Sequence, residues 1–144
     1  MTNDRAESEI FSQLAGELLA REIGFRFQAR GRSMIPTIAD GDVLHVESAH
    51  PESLKVGDIV LFRQGAGFKA HRIIGKRRDL LSTRGDAGVD IDEIGPEQIV
   101  GKVIARECRQ TGRTILIYGP STRAAFFWRE LRRRMRNLVT GCGP

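Results

Sequence analysis

No stretch of this chain stays apolar for the ~18 to 20 residues that a membrane-crossing helix requires. Its opening, Met1-Thr2-Asn3-Asp4-Arg5, leads into a polar amphipathic stretch rather than the apolar core of a secretion signal. We therefore expect a protein that is cytoplasmic or held only peripherally at a membrane. Cysteine is nearly absent: Cys108 and Cys142 are too few for a disulfide framework, and neither has metal-ligand spacing with the three histidines. Both read as free thiols. Nothing resembles a metal or nucleotide site, so no cofactor is expected. An excess of either sign of charge is missing over most of the chain. The net charge is +5, but seven of the arginines fall between Arg113 and Arg136, so the basicity is local to the tail.

What is present is about one domain's worth of sequence, 144 residues, enough to bury its own core. Apolar residues at Ile10, Phe11, Leu14, Leu18, Leu19 and Ile23 follow the 3.6 period of an amphipathic helix. This predicts an N-terminal helix over 1–24, packed on its own domain or offered to a partner. From Phe25 the period changes to two. Phe25 to Arg30, Val43 to Glu47, Asp58 to Phe62, Phe68 to Ile74, Leu80 to Thr83, Gln98 to Arg106 and Arg113 to Tyr118 read as about seven short strands between turn signals. The pattern predicts a mainly β domain over 25–119, a barrel or sandwich. After Gly119-Pro120 a basic helix is expected within 120–144, with Phe127, Leu131, Met135 and Leu138 on one face and arginines over the rest. Such a helix can dock on the domain or lie on anionic lipid.

The chain shows its purpose between the first two strands, in Gly31-Arg32-Ser33-Met34-Ile35-Pro36-Thr37-Ile38-Ala39-Asp40-Gly41-Asp42. Pro36 fixes its own φ and biases Ile35 away from helix, so Ser33 is expected outside regular structure. A hydroxyl on a constrained loop suits a nucleophile. An ordinary turn serine is the plain alternative, and the order of the segments that follow argues against it. They are Val56-Gly57-Asp58-Ile59-Val60-Leu61-Phe62, His71-Arg72-Ile73-Ile74-Gly75, Thr83-Arg84-Gly85-Asp86-Ala87 with Asp92 six residues on, and Ile99-Val100-Gly101-Lys102-Val103.

In that order the boxes resemble the catalytic domain of the signal peptidase I family, in its endoplasmic-reticulum, archaeal and spore-former branch. The resemblance runs from Gly31 to Arg106, about half of the chain. It implies a LexA/signal-peptidase-like β fold, Ser33 as nucleophile and His71 as general base. It matches Asp86 and Asp92 to the family's two aspartates. Asp86, with Asp92, is expected to orient the base, and spacing does not decide which of them faces His71. A histidine base is neutral near physiological pH with little burial. His45, in an alternating strand, and His50, before a proline, read as ordinary surface or packed residues. Asp90 reads as a loop carboxylate.

The same resemblance implies an oxyanion hole made mainly from backbone groups, the Ser33 N–H among them. Many relatives have a serine two residues before the nucleophile, where this chain has Gly31. Met34 and Pro36 are expected to contribute to substrate binding. The activity implied is a serine endopeptidase that cleaves an extended peptide or precursor with small residues before the scissile bond, with nucleic acid an unexpected partner. Two other readings stand beside it. One is a LexA-like self-cleaving regulator, although about thirty residues before Ser33 leave little room for a DNA-binding unit. The other is an inactive module that uses its arginine helix to hold a membrane or an acidic partner.

Overall fold

The computed structural model describes residues 24–117 without interruption and, before them, residues 9, 10, 13, 14, 17, 18 and 21. Glu9, Ile10, Gln13, Leu14, Glu17 and Leu18 are helical, as their spacing predicts. Ile10 and Leu14 nevertheless face solvent, at 58% and 54% exposure, so these two positions are not packed on the domain. The basic C-terminal helix expected within 120–144, and Cys142 with it, lies outside the described residues.

Eight strands follow: β1 (Phe25–Gln28), β2 (Val43–Glu47), β3 (Ile59–Gln64), β4 (Gly67–Arg77), β5 (Leu80–Arg84), β6 (Ile91–Ile94), β7 (Ile99–Glu107) and β8 (Thr114–Leu116). They form one curled antiparallel sheet in the order β1-β2-β7-β3-β4-β5-β6, with β8 added to β7. Seven of them fall where the sequence places strands. The eighth, β6, is too short and too acidic, Ile91-Asp92-Glu93-Ile94, to stand out as a strand in the sequence.

The central strand explains the curl. Ile59, Val60, Leu61 and Phe62 of β3 are all at most 1% exposed, because the two faces of the strand enter two separate cores. Ile59 and Leu61 join Leu44, Val46 and Val103, together with Met34 and Ile38 from the loop that carries Ser33. Val60 and Phe62 join Leu54, Ile73, Leu81 and Ile94 on the other face. A strand buried on both faces reads as a continuous apolar run, which is how Ile-Val-Leu-Phe stands in the sequence. Beside it, β7 crosses between β2 and β3 through Gly101, where a Cβ would lie 2.5 Å from the Glu47 carbonyl oxygen and 2.7 Å from Val46 Cγ1. Two buried ion pairs tie the sheet's charged positions, Arg106 Nη1 to Asp42 at 2.7 Å and Lys102 Nζ to Asp58 at 2.9 Å.

Cys108, at the end of β7, is disulfide-bonded, which corrects the expectation of a free thiol at that position.

Candidate active site

The loop bearing Ser33 leaves β1 and returns to β2 through one narrow neck. The Ala29 N–H donates to the Asp42 carbonyl and the Gly41 N–H to the Ala29 carbonyl, both at 2.8 Å. Residues 33–37 form successive turns, so Ser33 stands outside regular structure, as the proline predicts. The loop is held from below by Met34 and Ile38, at 4% and 3% exposure in the first core. It is held at its end by Asp42, which is 1% exposed and accepts from the Ala39 N–H at 2.9 Å, the Arg109 N–H at 3.1 Å and Arg106 Nη1 at 2.7 Å. Burial works against the charge on Asp42, but these donors outweigh it and hold the carboxyl below its ordinary value.

His71 reaches Ser33 from β4. Its Nε2 lies 3.2 Å from Ser33 Oγ, hydrogen-bond distance for a base and its nucleophile. The ring is nearly enclosed, 6% exposed, and stands edge-on to Phe62 with centroids 6.0 Å apart. Its other nitrogen, Nδ1, lies 3.2 Å from Asp92 Oδ2, off the line of a straight hydrogen bond but within ion-pair range. Strand pairing brings Asp92 there. Ile73 stands opposite Thr83, and Thr83 opposite Asp92, so His71 and Asp92 share one face of β4-β5-β6. Position 85 falls beside this face, and Ser33 occupies the space its side chain would fill: a Cβ on Gly85 would stand 2.5 Å from the Ser33 carbonyl oxygen and 3.2 Å from His71 Nε2. Burial, then the nearby Lys69 cation, push the His71 pKa below its ordinary 6.5 against the pull of Asp92. The imidazole is therefore a neutral acceptor at neutral pH.

Of the two aspartates that spacing left open, Asp92 is the one against the base. Asp86, the expected principal partner of His71, is engaged elsewhere. Arg72 grips it with two parallel bonds, Nε to Oδ1 at 2.8 Å and Nη2 to Oδ2 at 2.7 Å, and Thr37 Oγ1 donates to Oδ2 at 2.5 Å. Arg72 Nη1 also donates to the Gly57 carbonyl at 2.8 Å. One planar guanidinium thus joins the Ser-Met-x-Pro-Thr, Gly-Asp-Ile, His-Arg and Gly-Asp boxes, a fork geometry that lysine lacks. Burial disfavours the charge on Asp86, but Arg72 and Thr37 overcome it and hold its pKa low. Its negative charge still reaches His71 through space, as a weak influence. The Asp86 N–H donates to Met34 Sδ at 3.4 Å and the Ala87 N–H to the Ser33 carbonyl at 2.9 Å, fastening the turn after β5 to the nucleophile's own backbone.

Ser33 opens into a groove of about 390 Å³. One wall is Phe27 to Gly31, the other Phe68, Lys69 and Ala70, and Met34, Ile38 and Leu44 form the floor. Phe27 and Phe68 meet edge-on across it, centroids 6.1 Å apart. Met34 is therefore at the groove. Pro36 is not: it lines a second hollow behind the loop with Arg32, Asp40 and Arg109, because the turns after Ser33 carry it to the far side. The Ser33 N–H has no acceptor among the described residues, and the Gly31 N–H donates to Asp40 Oδ1 at 2.7 Å. His45 sits on β2 with Nε2 3.8 Å from Glu107 Oε2, and His50 precedes the turn Pro51–Ser53. Sequence reasoning missed Gln64 and Lys69, which both contact Asp92. Lys69 stands two residues before His71, the one available signal, since strand residues at i and i+2 share a face.

A serine, a histidine and an aspartate in line on a curled β sheet define the class to compare with. The chain belongs to the Peptidase S24-like family, whose model matches residues 4–104. That family lies in the LexA/signal peptidase fold superfamily, and the match does not single out the signal peptidase branch. Among curated proteins the chain is also similar to the co-chaperonin GroES of Shewanella sediminis, 33% identical over 75 residues, which is 52% of this chain and 76% of that one. The co-chaperonin GroES of Shewanella loihica is 32% identical over the same shares. Among the described residues, no helix is long and apolar enough to cross a membrane.

Proposed function

We propose that this chain is a serine endopeptidase of signal-peptidase type that cleaves an extended peptide or precursor. The observation that carries the reading is the line Ser33 Oγ, His71 Nε2, His71 Nδ1 and Asp92 Oδ2, with 3.2 Å between serine and ring and between ring and carboxylate, at the edge of the groove. In the reaction His71 Nε2 takes the proton of Ser33 Oγ as the oxygen attacks the peptide carbonyl carbon. The backbone N–H of Ser33 receives the developing oxyanion. His71 then passes its proton to the leaving amine, and water, activated by the same nitrogen, releases the acyl group from Ser33. Asp92 holds the ring and offsets the charge of the transient imidazolium.

The groove favours an extended substrate because strand edges flank it. Gly67 to His71 pair with β3 on one side only, the ladder to β5 beginning at Arg72. β1 is the outermost strand on the other side. A peptide laid between them can take backbone hydrogen bonds from both edges, the usual chemistry of strand addition. The preference for small side chains before the scissile bond rests on the family resemblance. Self-cleavage is the second reading, supported by the S24-like family match. Binding of a partner protein without cleavage is the third, supported by the co-chaperonin names among the relatives. Incubating the protein with candidate precursors separates them. Cleavage in trans that disappears in both Ser33→Ala and His71→Ala supports the endopeptidase. A cleavage rate independent of protein concentration, with the chain itself shortened, supports self-cleavage. Trans cleavage undiminished in Ser33→Ala overturns the nucleophile assignment.

A further inference from the structure

The Asp92 carboxylate is shared three ways. Lys69 Nζ lies 3.3 Å from Oδ2, the same oxygen that His71 Nδ1 approaches at 3.2 Å, and Gln64 Nε2 donates to Oδ1 at 3.0 Å. Lys69 and His71 stand two apart on β4 and project from one face, while Gln64 ends the neighbouring β3. The Lys69 side chain is 41% exposed, against 19% for Asp92 and 8% for His71. It and Gln64 form the solvent side of the cluster.

We infer that Lys69 is a positioning residue of this site: its ammonium, with the Gln64 amide, fixes the Asp92 carboxylate against His71 and opposes a second positive charge on the imidazole. This rests on the endopeptidase reading for its catalytic consequence, but the geometry stands without it. The groups facing His71 are few. Asp92 from β6 favours the imidazolium. Asp86 from the turn after β5 favours it weakly, its charge being taken up by Arg72. Ser33 and Phe62 are neutral. Lys69 is the cation against them, and after burial it is the strongest influence lowering the His71 pKa. Without an opposing cation the Asp92 carboxylate would raise the proton affinity of the ring and narrow the pH range in which it can accept the proton of Ser33. Lys69 tempers that pull while Asp92 orients the ring. It also lines the groove, so substrate passes over the group that sets the base.

The test uses the full chain with Lys69→Met, which keeps the length and removes the charge, Lys69→Arg, which keeps the charge, and Lys69→Ala as a second neutral variant. The first readout is the NMR titration of the His71 ring in the substrate-free protein, its signal identified by its loss in His71→Gln. The second is the pH profile of kcat/KM on a cleaved peptide. Removing the cation raises the titration midpoint in Lys69→Met and Lys69→Ala, while Lys69→Arg titrates like the wild type. The acid limb of kcat/KM moves up with it, a loss of roughly two- to fivefold below the midpoint. A midpoint that stays put or falls in the neutral variants overturns the inference, as does Lys69→Arg behaving like Lys69→Met at unchanged melting temperature. A midpoint that moves as stated in a protein that cleaves no peptide supports the inference and overturns the endopeptidase reading, so the two fail separately.

Discussion

A methyl group at position 85 would stand 2.5 Å from the carbonyl oxygen of Ser33, so the glycine just after β5 is where the nucleophile's backbone rests. The contact is backbone against backbone, with the His71 ring 3.2 Å from the same point. Gly85→Ala must therefore displace the Ser33 loop rather than a pliable side chain. Displacement of about 1 Å between nucleophile and base costs on the order of 10²-fold in rate. We expect kcat/KM to fall by roughly that factor, with the protein still melting cooperatively. An alanine variant of wild-type activity would show that Ser33 and Gly85 can separate freely.

The two aspartates should answer differently to the same change. Asp92→Asn removes the charge behind His71 and should lower kcat by roughly 10³- to 10⁴-fold, with a smaller loss of melting temperature than Asp86→Asn. Asp86→Asn breaks the fork with Arg72 and should lower thermal stability while leaving much of the activity in the protein that remains folded. Measured side by side, the opposite pattern would return the orienting role to Asp86.

The pH dependence of activity follows from the direction of the His71 shift. The base works when neutral, and its folded pKa lies below 6.5 because of burial and Lys69. The acid limb of kcat/KM is therefore expected below pH 6.5, with the plateau already reached at neutrality. A limb above pH 7 in a steady-state profile would contradict a buried histidine base.

Acid stability has the opposite source. Asp42, Asp86 and Asp92 each have a folded pKa below the ordinary 3.8, so the unfolded chain binds more protons as pH falls. Their contribution is present above the unfolded value and is lost as pH drops through the folded ones. Thermal melts should be insensitive to these groups between pH 5 and 8 and should fall steeply below about pH 4.

Asp42→Asn isolates one of them. Arg106 would remain only 8% exposed beside a neutral amide, and leaving one member of a buried pair uncompensated costs about 3 to 5 kcal/mol. Because Asp42 also closes the Ser33 loop, this loss in denaturant melts should come with weakened cleavage. An unchanged midpoint would mean that Arg106 finds solvent or another acceptor.

Seven of the eight strands, Ser33 on a loop and His71 on the strand after a hairpin were legible from apolar patterning and turn residues. Those signals are local, since a strand's face pattern and a proline's φ act within a few residues. Choosing between Asp86 and Asp92 was different in kind. Asp92 sits on β6, whose Asp-Glu centre hides it as a strand, and its nearness to His71 is set by the register Ile73, Thr83, Asp92 across three strands. Gln64 and Lys69 were overlooked for the same reason. A glutamine and a lysine on strand surfaces are common, and only the position of Asp92 gives them a task. Pro36, expected to help bind substrate, lies at the back of the loop because the turns after Ser33 carry it there.

By itself the sequence determined a mainly β chain with a candidate nucleophile and base, because apolar periodicity, turn chemistry and residue type are properties of short segments. Tertiary structure alone decided which carboxylate stands behind His71, which one Arg72 ties down, and why position 85 has no side chain. Those are distances between segments far apart in the chain, and sheet register fixes them only once both faces of β3 have closed over their cores.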